Sequence, residues 1–214
     1  MDPKFVKQLE EFGVIPVIKI DRAEDAVPLA TALRDGGLNC AEVTFRTAAA
    51  PDAIRAISKA YPDMLIIAGT VLTTTQADEA MAAGAKYIVA PGLNPAVVQY
   101  CIDKDYPVLP GVCTPSEVEL GLSLGLTHLK FFPAEAAGGV GMIKAMAAPY
   151  TAVRFMPTGG VNIKNVADYL NCKAVFCCGG SWMVPADKIA AGEFEEIKNM
   201  TAQAVTLVKE IRSK

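Results

Sequence analysis

"GVIPVIKI" (residues 13–20) is followed at once by "RAEDAVPLATALRDGG" (22–37). The first stretch is a near-continuous apolar run, the pattern of a strand buried on both faces. The second has a helical period and closes on glycine, as a helix C-terminus does. Pro28 lies inside this helix and predicts a kink or a shifted start. Together the two stretches make one strand–helix unit. No G-x-G-x-x-G joins them, so a nucleotide-binding open sheet has little support.

The unit recurs. Further apolar runs are "CAEVTF" (40–45), "LIIAGT" (65–70), "KYIVAPG" (86–92), "YPVLPG" (106–111), "HLKFFP" (128–133), "VRFMPTGG" (153–160) and "KAVFCCGG" (173–180). Helical segments lie between them. "TTTQADEAMAAG" (73–84) opens on threonine caps and ends in glycine. "TPSEVELGLSLG" (114–125) places proline and glutamate well for a first turn. "FEEIKNMTAQAVTLVKEIRS" (194–213) is a long amphipathic closing helix. Eight such alternations predict an α/β fold, a (β/α)8 TIM barrel. At 214 residues the chain is near the lower end for that fold, so few insertions are expected. No linker or compositional break divides it, and residues 1–214 are read as one domain. An open doubly wound sheet is the alternative.

Composition narrows the function. The chain is 52% hydrophobic, yet no window approaches about 18 uninterrupted apolar residues, so no membrane span is expected. The start, "MDPKFVKQLEEFG", is charged and lacks the apolar core of a signal peptide, which reads as cytoplasmic. A net charge of −3 argues against nucleic acid as a partner, though local basic groups can still hold a small phosphate. The six cysteines, Cys40, Cys101, Cys113, Cys172, Cys177 and Cys178, include no C-x-x-C pair, and His128 is the only histidine. Free thiols in a reducing compartment are the expectation, with no metal and no cofactor. Acid–base work then falls to carboxylates, lysines or water.

In such a barrel the reactive side chains project from the C-terminal ends of strands. The candidates there are Lys19, Glu42, Thr44, Arg46, Thr70, Pro91, Lys130, Thr158 and the glycine pairs 159–160 and 179–180 with Ser181. In "EVTFR" alternation puts Glu42, Thr44 and Arg46 on one face. A buried structural ion pair would give the same pattern. "PTGG" and "CGGS" fit an anion cradle of backbone N–H groups, aided by a following helix N-terminus, and fit plain turns as well. Lys130 sits in an apolar strand. It is either a snorkelling side chain or a Schiff-base nucleophile. An ordinary lysine, with a pKa of about 10.4, offers well under about 0.1% free amine at pH 7. Apolar burial and a nearby cation raise that fraction. "HLKFFP" supplies the first and Arg46 is the candidate for the second.

These pieces also carry a resemblance. "EVTFRT", "AGTVL", "APGLNP", "PGVCTPSE", "LKFFPAEAAGG", "PTGGVN" and "GGSWMVP", collinear from about Val14 to Pro185, resemble the 2-keto-3-deoxy-6-phosphogluconate (KDPG) / 4-hydroxy-2-oxoglutarate (KHG) aldolase family. The resemblance implies a metal-free class I aldolase on a (β/α)8 barrel, a homotrimer, cleaving a keto-acid phosphate to pyruvate and glyceraldehyde 3-phosphate. It places Lys130 on the Schiff-base lysine and Glu42 on the general acid/base. Arg46 and Thr70 fall on the pyruvate side, with Pro91 and Phe132 as walls. Thr158, Gly159, Gly160, Gly179, Gly180 and Ser181 fall on the phosphate side, and Lys19 on a second phosphate or carboxylate contact. Competing readings are an aldolase for the galactonate epimer, a non-covalent phosphosugar isomerase with Glu42 as base, and a non-catalytic phosphate-binding protein. His128 receives no catalytic role.

Overall fold

A computed structural model of the chain describes residues 3–213. Its strands are β1 (Val14–Ile18), β2 (Cys40–Thr44), β3 (Leu65–Gly69), β4 (Tyr87–Val89), β5 (Val108–Leu109), β6 (Gly111–Val112), β7 (His128–Phe131), β8 (Arg154–Pro157) and β9 (Cys178–Gly180). Its helices are α1 (Pro3–Phe12), α2 (Ala26–Asp35), α3 (Ala50–Ala60), α4 (Thr74–Ala83), α5 (Pro95–Asp103), α6 (Pro115–Ser123), α7 (Gly139–Ala147), α8 (Val166–Leu170), α9 (Ala186–Ala191) and α10 (Phe194–Arg212). Among the described residues no helix is long and apolar enough to cross a membrane.

Every strand pair is parallel. One sheet runs β5-β4-β3-β2-β1-β9 and the other β6-β7-β8. Pro110 stands between β5 and β6, and its missing N–H splits the expected 106–111 strand in two. Bridges Phe155↔Val175 and Thr158↔Gly179 tie the β8 side to the β9 side. The parallel sheet therefore curls, and its two ladders face one another across a shared interior. The run at 173–180 is shorter as a strand than its composition predicts. The chain is still turning at Cys172–Val175, where Val175 N–H reaches Cys172 O at 2.8 Å, and the ladder begins only at Cys178.

Helix ends follow the local chemistry. Thr73 caps α4 by accepting from Gln76 N–H, and Gly84 leaves it at φ 107°. Thr114 and Glu117 form a reciprocal capping box at α6. Pro28 does not break α2, and of the two expected effects the helix shows the shifted start. A 3-10 turn (Ala23–Asp25) comes first, and α2 starts at Ala26, so Pro28 falls in its first turn, where an N–H is not needed. Gly36 keeps a right-handed conformation there, and Gly37 takes the left-handed one at φ 94°.

The core holds strand residues such as Ile15, Ile18, Phe131 and Phe155, with Phe176 just ahead of β9, all fully buried. The N-terminal helix α1 contributes buried Phe5 and Leu9. It is tied to β8 by an ion pair between Glu10 and Arg154. Arg154 also lies 5.9 Å from the Phe176 ring, which meets His128 edge-on at 5.2 Å.

Candidate active site

Register assembles the site. On β2, Glu42 pairs with Val17 of β1 and Ile67 of β3, and Thr44 with Gly69. On β7, Lys130 pairs with Gly111 and Met156. The C-terminal ends of β1, β2, β3, β7, β8 and β9 thus open on one cavity of about 270 Å³. Glu42, Arg46, Thr70, Pro91, Lys130, Phe132, Thr158, Gly159, Gly160, Gly179, Gly180 and Ser181 all line it. Val17, Thr44 and Val161 complete the wall.

At its floor Lys130 Nζ donates to Glu42 Oε1 at 3.3 Å. Lys130 is 4% exposed and Glu42 0%. Two buried groups of opposite charge this close satisfy each other in part. Glu42 Oε2 has no hydrogen-bond partner among the described residues, which leaves one buried acceptor for an incoming hydroxyl or water. The ammonium also lies 5.5 Å from the Phe132 ring. Gly69 makes room for the carboxylate. A Cβ at that position would lie 2.3 Å from Glu42 Oε1 and 2.7 Å from its Cγ.

Arg46 is held by one bond, Nε to Thr44 Oγ1 at 3.0 Å, and Thr44 in turn donates to Ile18 O at 2.6 Å. Among the described residues Arg46 has no carboxylate partner, so its fork is available to an anion. Thr70 has φ 58°. A β-branched side chain is a rare guest in the left-handed region, and such outliers gather at ligand sites.

The two glycine pairs differ in kind. Gly159 and Gly160 form a turn at φ 99° and 84°. Gly179 and Gly180 lie within β9 with ordinary backbone and are small for packing. A Cβ on Gly179 would come 2.4 Å from Thr158 Oγ1, and one on Gly180 1.9 Å from the Trp182 ring. The helix dipole expected just beyond each pair is not at the cavity, because α8 and α9 begin only at Val166 and Ala186. Cys40, Cys177 and Cys178 are buried, which pushes their thiols up and keeps them protonated and unreactive.

The structure does not bring Lys19 to this cavity. β1 ends at Ile18, and the Lys19 ammonium turns to Asp21 at 2.8 Å in a separate depression. His128 lies off the cavity as well. It is half-buried next to Arg154, and desolvation first, then that cation, lowers its pKa.

A lysine and a carboxylate in contact on the floor, an unpaired arginine fork and a glycine turn define a site fitted for carbon–carbon bond chemistry on a small anionic carbonyl compound, a lyase's site. Residues 6–200 match the family described as "Aldolase: KDPG and KHG aldolase", and the chain belongs to that family. A 2-dehydro-3-deoxy-phosphogluconate aldolase of Treponema pallidum (strain Nichols) is 51% identical over 200 residues, 94% of this chain and 95% of that one. Among solved structures, KDPG aldolase from Legionella pneumophila with pyruvate captured at low pH as a covalent carbinolamine intermediate superposes at TM-score 0.91 and 41% identity, covering 95% of this chain and 98% of that one. The Zymomonas mobilis ZM4 aldolase with 3-phosphoglycerate superposes at 0.88 and 39% identity, covering 96% and 97%.

Proposed function

We propose that this chain is a class I aldolase that reversibly cleaves 2-keto-3-deoxy-6-phosphogluconate to pyruvate and glyceraldehyde 3-phosphate, with 4-hydroxy-2-oxoglutarate as a second substrate. The observation that carries the reading is the buried contact of Lys130 Nζ with Glu42 Oε1 at 3.3 Å. A lysine must give up a proton before it attacks, and Glu42 is the group placed to take it.

The protons then balance on one carboxylate. Neutral Lys130 adds to the C2 ketone, and Glu42 returns its proton to the carbinolamine hydroxyl, which leaves as water. The resulting iminium draws in the electrons of the C3–C4 bond while Glu42 accepts the C4 hydroxyl proton. An aldehyde departs and an enamine remains on Lys130. Glu42 protonates the enamine carbon, and water hydrolyses the imine to pyruvate. In this reading Arg46 and Thr70 hold the substrate carboxylate, and Pro91 and Phe132 wall the pyruvate end. Thr158, Gly159, Gly160, Gly179, Gly180 and Ser181 hold the phosphate. Support comes from the trapped pyruvate of the Legionella enzyme and the 3-phosphoglycerate of the Zymomonas enzyme.

The same reading takes residues 1–214 as one domain, its two ladders as a single eight-stranded barrel with β5 and β6 as one interrupted strand. A homotrimer is its assembly, in keeping with the family and with exposed Leu72, Ile102, Leu120 and Ile163. The cytoplasm is its compartment, in keeping with six free cysteines. No observation favours the isomerase. The test is pyruvate release, measured side by side on the gluconate and galactonate epimers and on 4-hydroxy-2-oxoglutarate. The highest kcat/KM is expected on the phosphorylated gluconate substrate. Absence of pyruvate from all of them overturns the reading.

A further inference from the structure

The glycine turn after β8 is held from behind by two asparagines to which the reaction assigns nothing. Thr158 O accepts from Ala134 N–H at 2.8 Å and Gly159 O from Glu135 N–H at 3.0 Å. Gly160 O accepts two side-chain amides, Asn162 Nδ2 at 2.9 Å and Asn165 Nδ2 at 3.1 Å. The amide orientations are fixed by the other ends. Asn165 Oδ1 accepts from Asn162 N–H at 2.7 Å, and Asn162 Oδ1 from Lys164 N–H at 2.9 Å. An oxygen is needed at both of those places, so both nitrogens face Gly160 O.

A trans peptide points its N–H away from its C=O. With Gly159 O drawn to Glu135, the Gly160 N–H faces the other way. With Gly160 O drawn to the asparagines, so does the Val161 N–H. Neither N–H has an acceptor among the described residues, although Val161 is buried and lines the cavity. Gly160 is exposed but lines the same cavity as buried Val161, and two successive free N–H groups make an anion-binding concavity. Gly160 is packed from below as well. A Cβ there would lie 2.6 Å from Glu135 Cβ, and the Glu135 carboxylate is itself held by the Tyr169 hydroxyl.

We propose that Asn162 and Asn165 are positioning residues for phosphate recognition: by holding the Gly160 carbonyl outward they keep the Gly160 and Val161 N–H groups aimed at the substrate phosphate. The inference rests on the phosphate-side reading above. Without the two amides, the Gly160 carbonyl is free to rotate and present an acceptor to a dianion.

The experiment compares the full-length wild type with N162A, N165A and N162A/N165A on 2-keto-3-deoxy-6-phosphogluconate and its unphosphorylated analogue. Inorganic phosphate serves as an inhibitor of the unphosphorylated reaction. The double variant should lower the phosphorylated-to-unphosphorylated ratio of kcat/KM by about tenfold or more, the scale of one hydrogen bond to a charged group. The loss should appear in KM of the phosphorylated substrate, with weaker inhibition by phosphate in the same order. Each single variant, which keeps one donor, should lose less, and the singles decide the matter where the double variant does not fold. A ratio retained within about twofold in folded variants, or an equal fall on both substrates, overturns the positioning role. A wild type that neither prefers the phosphorylated substrate nor is inhibited by phosphate overturns the phosphate site itself, and the asparagine role with it.

Discussion

Lys130 and Glu42 meet across the interior of the curled sheet, Nζ to Oε1 at 3.3 Å, one on β7 and the other on β2. They belong to different ladders and lie far apart in sequence. Their contact is therefore a product of the curl, and on the proposed reading it bears on both the chemistry and the stability.

Removing the ammonium leaves a buried carboxylate without its partner. K130M should abolish turnover and destabilise the fold by about 3–5 kcal/mol, the cost of breaking a buried pair from one side. K130M/E42L removes both charges and should recover much of that loss while staying inactive. Urea unfolding of the two variants checks this, and a double variant no more stable than K130M would contradict the buried-pair account.

E42Q should separate binding from proton transfer. The amide keeps the shape and loses the base. Cleavage should fall by about 10²–10⁴-fold, the usual range for a lost general acid–base group. Pyruvate should still form its imine with Lys130, more slowly. Steady-state assays against imine trapping distinguish this from a collapsed site.

G69A tests position rather than chemistry. The new methyl would stand 2.3 Å from Glu42 Oε1, and the flexible carboxylate is what must move. A shift of about 1 Å in a catalytic group can cost about 10²-fold in rate. We expect kcat to drop on that order with cooperative unfolding retained. An unchanged kcat would show that Glu42 need not stay where it stands.

Much of this was legible in the sequence, for physical reasons. A strand buried on both faces is near-continuously apolar, so β1, β2, β3 and β7 announce themselves, with Glu42 and Lys130 standing out inside their runs. The period of two in "EVTFR" put Glu42 and Arg46 on one face, where the structure has them with Thr44 between. Other features leave no such mark. Lys19 follows an apolar run as Lys130 sits within one, and only the end of β1 at Ile18 turns it to Asp21. Pro110 splits a strand that composition alone makes continuous. Gly69 looks like any small residue in an apolar run, because its role is the space it leaves. Asn162 and Asn165 act on a carbonyl, which has no sequence signature.

Acid should weaken the fold partly through His128. Burial beside Arg154 lowers its folded pKa below the unfolded value of about 6.5. The imidazole is neutral in both states above that value. As pH falls below it, the unfolded chain takes up a proton that the folded chain resists, and stability is lost down through the folded pKa. H128Q should flatten this part of the decline between about pH 6.5 and the folded pKa. Urea midpoints of wild type and H128Q across that window check it, and parallel curves would contradict it.

The covalent role of Lys130 is the centre of the account. Incubation with pyruvate and borohydride, followed by peptide mass mapping, reads it directly. The account predicts one reduced pyruvate adduct per chain, on Lys130, and none in K130M. An adduct on another lysine, or none at all under conditions where the enzyme turns over, would contradict it.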